Sequence, residues 1–285
     1  MQSHPKIPNN TVTGSAVQDA SVTDESTLVL GRYRLLRKLR PGTVGERWLA
    51  LHTADQTSHT LHKLGPFHGQ AERRRFSLAL EPVVGVKVSH CLPVERFCLD
   101  HAGFGWIVTP YTGAQTGLVH LGDILASKGG RMTPHETDRS LRQILDAYTA
   151  AAQRKLNHGP VTAEQVLVDT RGSQMIELFG LDRRLQGMTV GNEELVRDEV
   201  RSVAELGYRM LTGIDADEPL IAPTKLVRRL DRAWDAWFET ALDPTGGFVS
   251  AAQALAELPS TRAAEGEAPT TVTVIDRIRG AIGQA

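Results

Sequence analysis

Cysteine is almost missing from this chain: Cys91 and Cys98 are the only two in 285 residues. They form neither a disulfide framework nor a C-x-x-C redox pair. Long hydrophobic runs are missing too, and nothing approaches the ~20 apolar residues of a helical membrane span. The N-terminus lacks the charged-then-apolar order of a secretory signal, so a cytoplasmic chain is the expectation. Excess charge of either sign is absent: 32 Lys and Arg face 33 Asp and Glu, and the pI is about 6.8. That balance argues for no nucleic acid and no anionic membrane surface as partner. The ten histidines include His59 and His62, but none belongs to a set with zinc-site spacing, so no metal site is expected. No G-x-S-x-G elbow, H-E-x-x-H helix, complete P-loop or internal repeat occurs.

What is present is an ordinary globular composition, 41% hydrophobic and 23% charged, long enough to bury a core without staples. The basic runs Arg32 to Arg40 and Arg73 to Arg75 read as solvated faces. Residues 1–26 are polar and poor in apolar groups, which predicts a disordered tail. From about 27 to 110, short apolar runs bounded by Gly, Pro or charge predict strands, with one helix over "QAERRRFSLAL". Beyond that the period becomes helical. Thr133, Pro134 and Glu136 make a capping box ahead of Leu141, Ile144, Leu145 and Tyr148. "VLVD" and "MIEL" predict a short hairpin. Helices are then expected over "ELVRDEVRSVAELGYRMLTG", "TKLVRRLDRAWDAWFETAL" and "VSAAQALAEL". Residues 259–285 read as a linker and a short amphipathic segment with Val274, Ile275, Ile278 and Ile282 on one face, a candidate for docking on a partner.

This order resembles a protein kinase domain, in particular the eukaryotic-like serine/threonine kinases of bacteria, over about residues 30 to 258. "GRYRLLRKLRPGTVGERWLAL" is similar to the strand, glycine-rich loop and returning strand that open that fold. "HCLPVERF" and "WIVTPYTG" resemble the segments leading to the hinge. "QILDAYTAAAQRKLNHGPVTAEQVLVD" matches, without a gap, the helix and catalytic loop that usually reads H-R-D-x-K-P-x-N-x-L. "MIELFGL" stands where a strand ends in D-F-G. "SVAELGYRMLTG" and "LDPTGGFVSAAQALAEL" resemble later helices. The resemblance implies an α+β, bilobal fold: a small β-rich N-lobe (about 27–110) and a larger α-helical C-lobe (about 111–258).

The same alignment implies that the chemistry has been removed. Phosphoryl transfer depends on accurately placed charge and on magnesium. The catalytic loop keeps His158, but Gly159 replaces the Arg of H-R-D, and Pro160, which cannot accept a proton, replaces its Asp. Thr162 replaces the Lys, Gln165 the Asn, and Leu178 the D-F-G Asp, where an apolar group offers Mg²⁺ no oxygen. Of three loop glycines Arg40 replaces the first, while Gly42 and Gly45 remain, as they also would in a plain hairpin. The third-strand Lys position holds His62 with Lys63 beside it, and Lys63 faces the cleft only if the register slips by one. The helix acid is Ala79, with Glu81 nearest. About twenty residues separate Phe179 from Glu199, with no A-P-E motif; the buried Arg that would pair with its Glu is Gly247.

Gly42, Gly45, Arg47, His62, Lys63 and Thr109 are therefore the expected remnant of a nucleotide pocket. Arg47 stands where a Val would lie under adenine, and either fills that space against a carboxylate such as Glu177 or hinge carbonyls, or reaches solvent. His158, Phe179 and Leu167 are expected as core, and Asp243–Pro244 as a helix-end turn. The expectation is a pseudokinase that scaffolds or regulates an unknown protein partner, with ATP binding weak or absent and no cofactor. The alternative is a divergent phosphotransferase using Lys63, Gln165 and acids such as Glu164 or Asp169.

Overall fold

The computed structural model describes residues 28–114, 117–188, 191–217 and 219–261. The expected N-terminal tail and the amphipathic segment around 274–282 lie outside them. The first lobe is a six-stranded antiparallel sheet in the order β1-β2-β3-β4-β6-β5: β1 Leu28–Val29, β2 Tyr33–Leu39, β3 Glu46–His52, β4 Ser58–Leu64, β5 Arg96–Leu99 and β6 Gly105–Pro110. Helix α1, Gln70–Leu80, lies where the sequence predicts it and buries Phe76, Ala79 and Leu80.

Strand alternation sends neighbours to opposite faces. On one face Tyr33, Ala50, Leu61, Trp106 and Val108 form an apolar cluster. On the other, Leu64 and Ile107 pack with Phe76 and Leu80 of α1, and with Leu178 and Leu181 arriving from the second lobe. Arg47 and His62 are directly paired across β3 and β4, so both side chains share one face.

The second lobe opens with β7 Val119–His120 and α2 Leu121–Ser127, neither of which the sequence pattern had singled out. Helix α3, Pro134–Ala152, starts with the expected box: Glu136 N donates to Thr133 Oγ1 and Thr133 N to Glu136 Oε2. Strands β8 Val166–Val168 and β9 Gln174–Ile176 form the expected hairpin, with β7 as a third strand. The short helix α4, Leu181–Leu185, is followed by α5, Glu193–Thr212, which ends at Gly213 with φ +82°.

The single helix expected over "TKLVRRLDRAWDAWFETAL" is instead two: α6 Pro223–Leu226 and α7 Ala233–Leu242. Asp235 accepts bonds from Thr224 N and Oγ1, and Asp231 accepts from Ala233 N, so side-chain carboxylates break the helical run that periodicity favours. Helix α8, Ala251–Glu257, closes the lobe around Trp234, Trp237, Phe238 and Phe248. No helix among the described residues is long and apolar enough to cross a membrane.

Candidate functional site

The cleft between the lobes is lined from above by β3, β4 and β6 and from below by β7, the turn Ala163–Gln165 and the strand end at Glu177. Arg47, His62, Thr109, His120 and Glu177 converge there and are 1, 3, 0, 2 and 4% exposed. Arg47 Nη2 donates to Glu177 Oε2 at 2.5 Å, and Nη1 lies 2.8 Å from His120 Nε2. A guanidinium only donates, so Nε2 is the accepting nitrogen and the Nδ1–H of His120 donates to the Glu164 carbonyl at 3.0 Å. His62 Nε2 lies 3.1 Å from Thr109 Oγ1, and its Nδ1 is 3.8 Å from Glu177 Oε1. Of the alternatives the sequence offered for Arg47, a carboxylate such as Glu177, hinge carbonyls or solvent, Glu177 is the one that it meets.

Burial governs the charges. It pulls the His62 pKa down to about 3 and that of His120 to about 4, and in both the Arg47 cation adds to the effect. Burial raises Glu177 against the opposing pull of Arg47, and lowers Arg47 against the support of Glu177. Both histidines are thus neutral at neutral pH, as the acceptor role of His120 requires.

The glycine-rich turn closes on this arrangement. Gly42 N donates to Gly45 O at 2.9 Å, and a Cβ on Gly42 would sit 2.5 Å from Arg47 Nε. Gly45 has φ +151°, and a Cβ there would meet the Lys63 carbonyl at 2.5 Å. Lys63 is not in the cleft. Its Nζ lies 3.9 Å from the Phe104 ring centroid on the other face of the sheet, so strand alternation removes it from the expected pocket.

Below the cleft, His158 is buried and stacks edge-on with Phe179 at 4.9 Å and Tyr148 at 5.8 Å. Burial pulls its pKa to about 4. The backbone amides of His158 and Gly159 both donate to Glu199 Oε1 at 2.8 Å, and Val161 N donates to Ser202 Oγ, so α5 carries the loop. Gly159 has φ +89°, and the Arg183 chain lies where its Cβ would be. Pro160 and Thr162 are exposed, and the Gln165 amide oxygen is taken up by Thr162 N at 2.9 Å.

Leu178 is 4% exposed and lies in the apolar cluster beneath the sheet, with φ +46°. Ala79, where the resemblance puts the helix acid, offers its carbonyl to Arg184 Nε of α4 at 2.6 Å; Glu81 is exposed. Asp169 holds the amides of Arg171 and Ser173 in the β8–β9 turn, away from the cleft. Between the loop tip and His158, Gln165, Glu177 and Arg183 a cavity of about 140 Å³ remains. That is below the roughly 300–1,000 Å³ usual for small-molecule sites. No group of three or more His, Cys, Asp or Glu among the described residues could hold a metal.

Sequence reasoning did not find His120, Arg183 or Arg184. The aspartate three residues after His120, which accepts from His120 N, is the local helix-start signal that could have directed attention there. Nothing local marks Arg184.

Two lobes, a glycine turn over the cleft and a loop carried by α5 define a bilobal α+β protein-kinase-like domain. The kinase domain of Mycobacterium tuberculosis PknI superposes with a TM-score of 0.63 at 19% identity, covering 83% of this chain and 98% of that one. Its C20A mutant gives 0.62 at 18% identity, with 79% and 94% covered. A protein of Bifidobacterium longum described as a probable serine/threonine-protein kinase, pknA2, is 23% identical over a 228-residue alignment that covers 70% of this chain. The chain spans only 29% of that relative's length. No family model matches the chain. The chain has the fold of a bacterial eukaryotic-like protein kinase domain.

Proposed function

We propose that this chain is a catalytically inactive kinase-like domain, a pseudokinase that acts by binding and regulating another protein. The observation that carries the reading is the Arg47–Glu177 pair, buried in the cleft where the resemblance puts a nucleotide base. Leu178 and Pro160 support it, since neither supplies the oxygen that magnesium or the attacking hydroxyl requires. A frame that keeps its packing while its cleft fills with its own side chains has surfaces left as its working parts. The partner's identity, and any role of residues outside this stretch, belong to the same proposal.

The test combines two measurements on the purified chain. Incubation with ATP and Mg²⁺ is expected to give no autophosphorylation and no transfer to generic protein substrates above a heat-killed control. Thermal shift with ATP, with and without Mg²⁺, is expected to leave the melting temperature unchanged, because a ligand that binds the native state must raise it. Phosphate transfer that Gln165→Ala abolishes would establish the divergent phosphotransferase instead.

A further inference from the structure

Arg47 lies on β3 of the first lobe, yet both acceptors of its guanidinium, Glu177 and His120, belong to the second. A second arginine of the same hairpin repeats the pattern at the rim: Arg40 Nη1 lies 2.6 Å from Asp123 Oδ1. The other oxygen of Asp123 accepts from His120 N, so the rim contact and the buried one share the start of α2. Gly42, between the two arginines, rests on the Arg47 guanidinium, with space for nothing larger. The turn that would fold over a bound phosphate is instead closed over the chain's own cation.

We propose that Arg47 and Arg40 form a clasp that holds the two lobes closed in the absence of any ligand, so that the binding surfaces spanning them are preformed. Closure by a ligand needs differential affinity for the closed state; here the closing contacts are covalently part of the chain and always present. The fork geometry matters, because one guanidinium engages two acceptors on separate segments, which an ammonium would not do with the same planar fit. Arg40, exposed at the rim, contributes less than the buried arm. The clasp rests on the reading that the chain itself fills the cleft, and the two fail separately.

Hydrogen exchange followed by mass spectrometry on the whole chain tests it. In Arg47→Ala, peptides covering Gly42 to Arg47, the start of α2 and Glu177 should exchange roughly tenfold faster or more, while those of α5 and α7 keep their protection. If Arg47→Ala does not fold, the volume-preserving pair Arg47→Met with Glu177→Met replaces it; such apolar replacements of buried ion pairs retain stability. It should melt near the parent yet show the same local loss. Unchanged exchange at the cleft in the foldable variant would overturn the clasp, and so would a uniform rise that includes α5, which marks general destabilisation. If the parent's exchange slows at the cleft on adding ATP, closure depends on ligand and the clasp is wrong. Phosphate transfer that Gln165→Ala abolishes, with cleft exchange in the parent unaltered by ATP, would overturn the pseudokinase reading and leave the clasp standing.

Discussion

Arg47 Nη2 and Glu177 Oε2 meet across the lobe boundary at 2.5 Å, with side chains 1% and 2% exposed. Desolvating two charges costs several kcal/mol per ion, and mutual attraction with good geometry offsets it. The pair is therefore fragile to the removal of one member. Glu177→Ala leaves a buried guanidinium with His120 alone, and is expected to lower unfolding stability by about 3–5 kcal/mol. Urea denaturation measures it; a loss below about 1 kcal/mol would show that the cleft admits water freely.

An acid placed at Leu178, where the resemblance puts the D-F-G Asp, is not expected to create a magnesium site. Leu178 is buried in an apolar cluster with Phe76, Leu80, Ile107 and Leu181. Leu178→Asp puts a carboxylate in that apolar cluster without a partner and is expected to cost about 3 kcal/mol or more. No Mg²⁺-dependent ATP binding should appear in isothermal titration. A variant that stays stable and binds Mg·ATP would mean the segment swings freely into the cleft.

Acid should unfold the domain early. His62, His120 and His158 have folded pKa values near 3, 4 and 4 because burial excludes the charged form. Below about 6.5 the unfolded chain takes up protons that the native histidines refuse, so stability falls with falling pH, by at most about 1.4 kcal/mol per pH unit for each histidine. Glu177 and Glu199 are raised by burial and act in the opposite sense, offsetting part of the loss above the ordinary carboxylate range. Urea midpoints at pH 7.5, 6 and 5 should decline in that order. A rise on acidification would show that the carboxylates dominate.

The fold was readable from sequence because its markers are local and periodic. Thr133 with Glu136, the "VLVD" and "MIEL" strands, and Gly213 each act through neighbours a few residues away, and each stands where expected. Alternation along β4 also separated His62 from Lys63, although sequence left their register open. The cleft was only half legible. Arg47 drew attention as a charge in a position that should be apolar, and a buried charge requires a counter-charge, which made Glu177 a candidate. His120 and Arg184 were not legible, since their partners lie 73 and 105 residues away and no short pattern encodes such contacts. The break between α6 and α7 escaped because Asp231 and Asp235 are consistent with a helix until their side chains cap it.

The loop that carries His158 and Gly159 should depend on one carboxylate. Glu199 Oε1 accepts from both His158 N and Gly159 N, at 2.8 Å each. Glu199→Ala leaves two buried amides unpaired and is expected to cost about 2–4 kcal/mol; Glu199→Gln keeps an acceptor oxygen and should cost under about 1 kcal/mol. Chemical denaturation of the two variants side by side gives the difference. Equal losses would mean that the negative charge, rather than the acceptor, holds the loop.

Gly42 separates two explanations of the glycine-rich turn. As an ordinary hairpin glycine it would be replaceable at a cost set by the turn alone, whatever lies in the cleft. The geometry instead puts an added Cβ 2.5 Å from Arg47 Nε and 2.9 Å from Nη2, inside van der Waals contact with a side chain fixed at its far end by Glu177 and His120. Gly42→Ala in the parent chain must therefore displace the turn or the guanidinium, with an expected loss of about 1–3 kcal/mol. In the background where Arg47 and Glu177 are both Met, the flexible side chains can yield. The same change should then be close to neutral, or stabilising by about 0.4–1 kcal/mol through the stiffer unfolded chain. A double-mutant cycle from urea denaturation gives the coupling directly. A coupling of about 1 kcal/mol or more ties Gly42 to the buried cation, whereas the same loss in both backgrounds would return it to a simple turn residue.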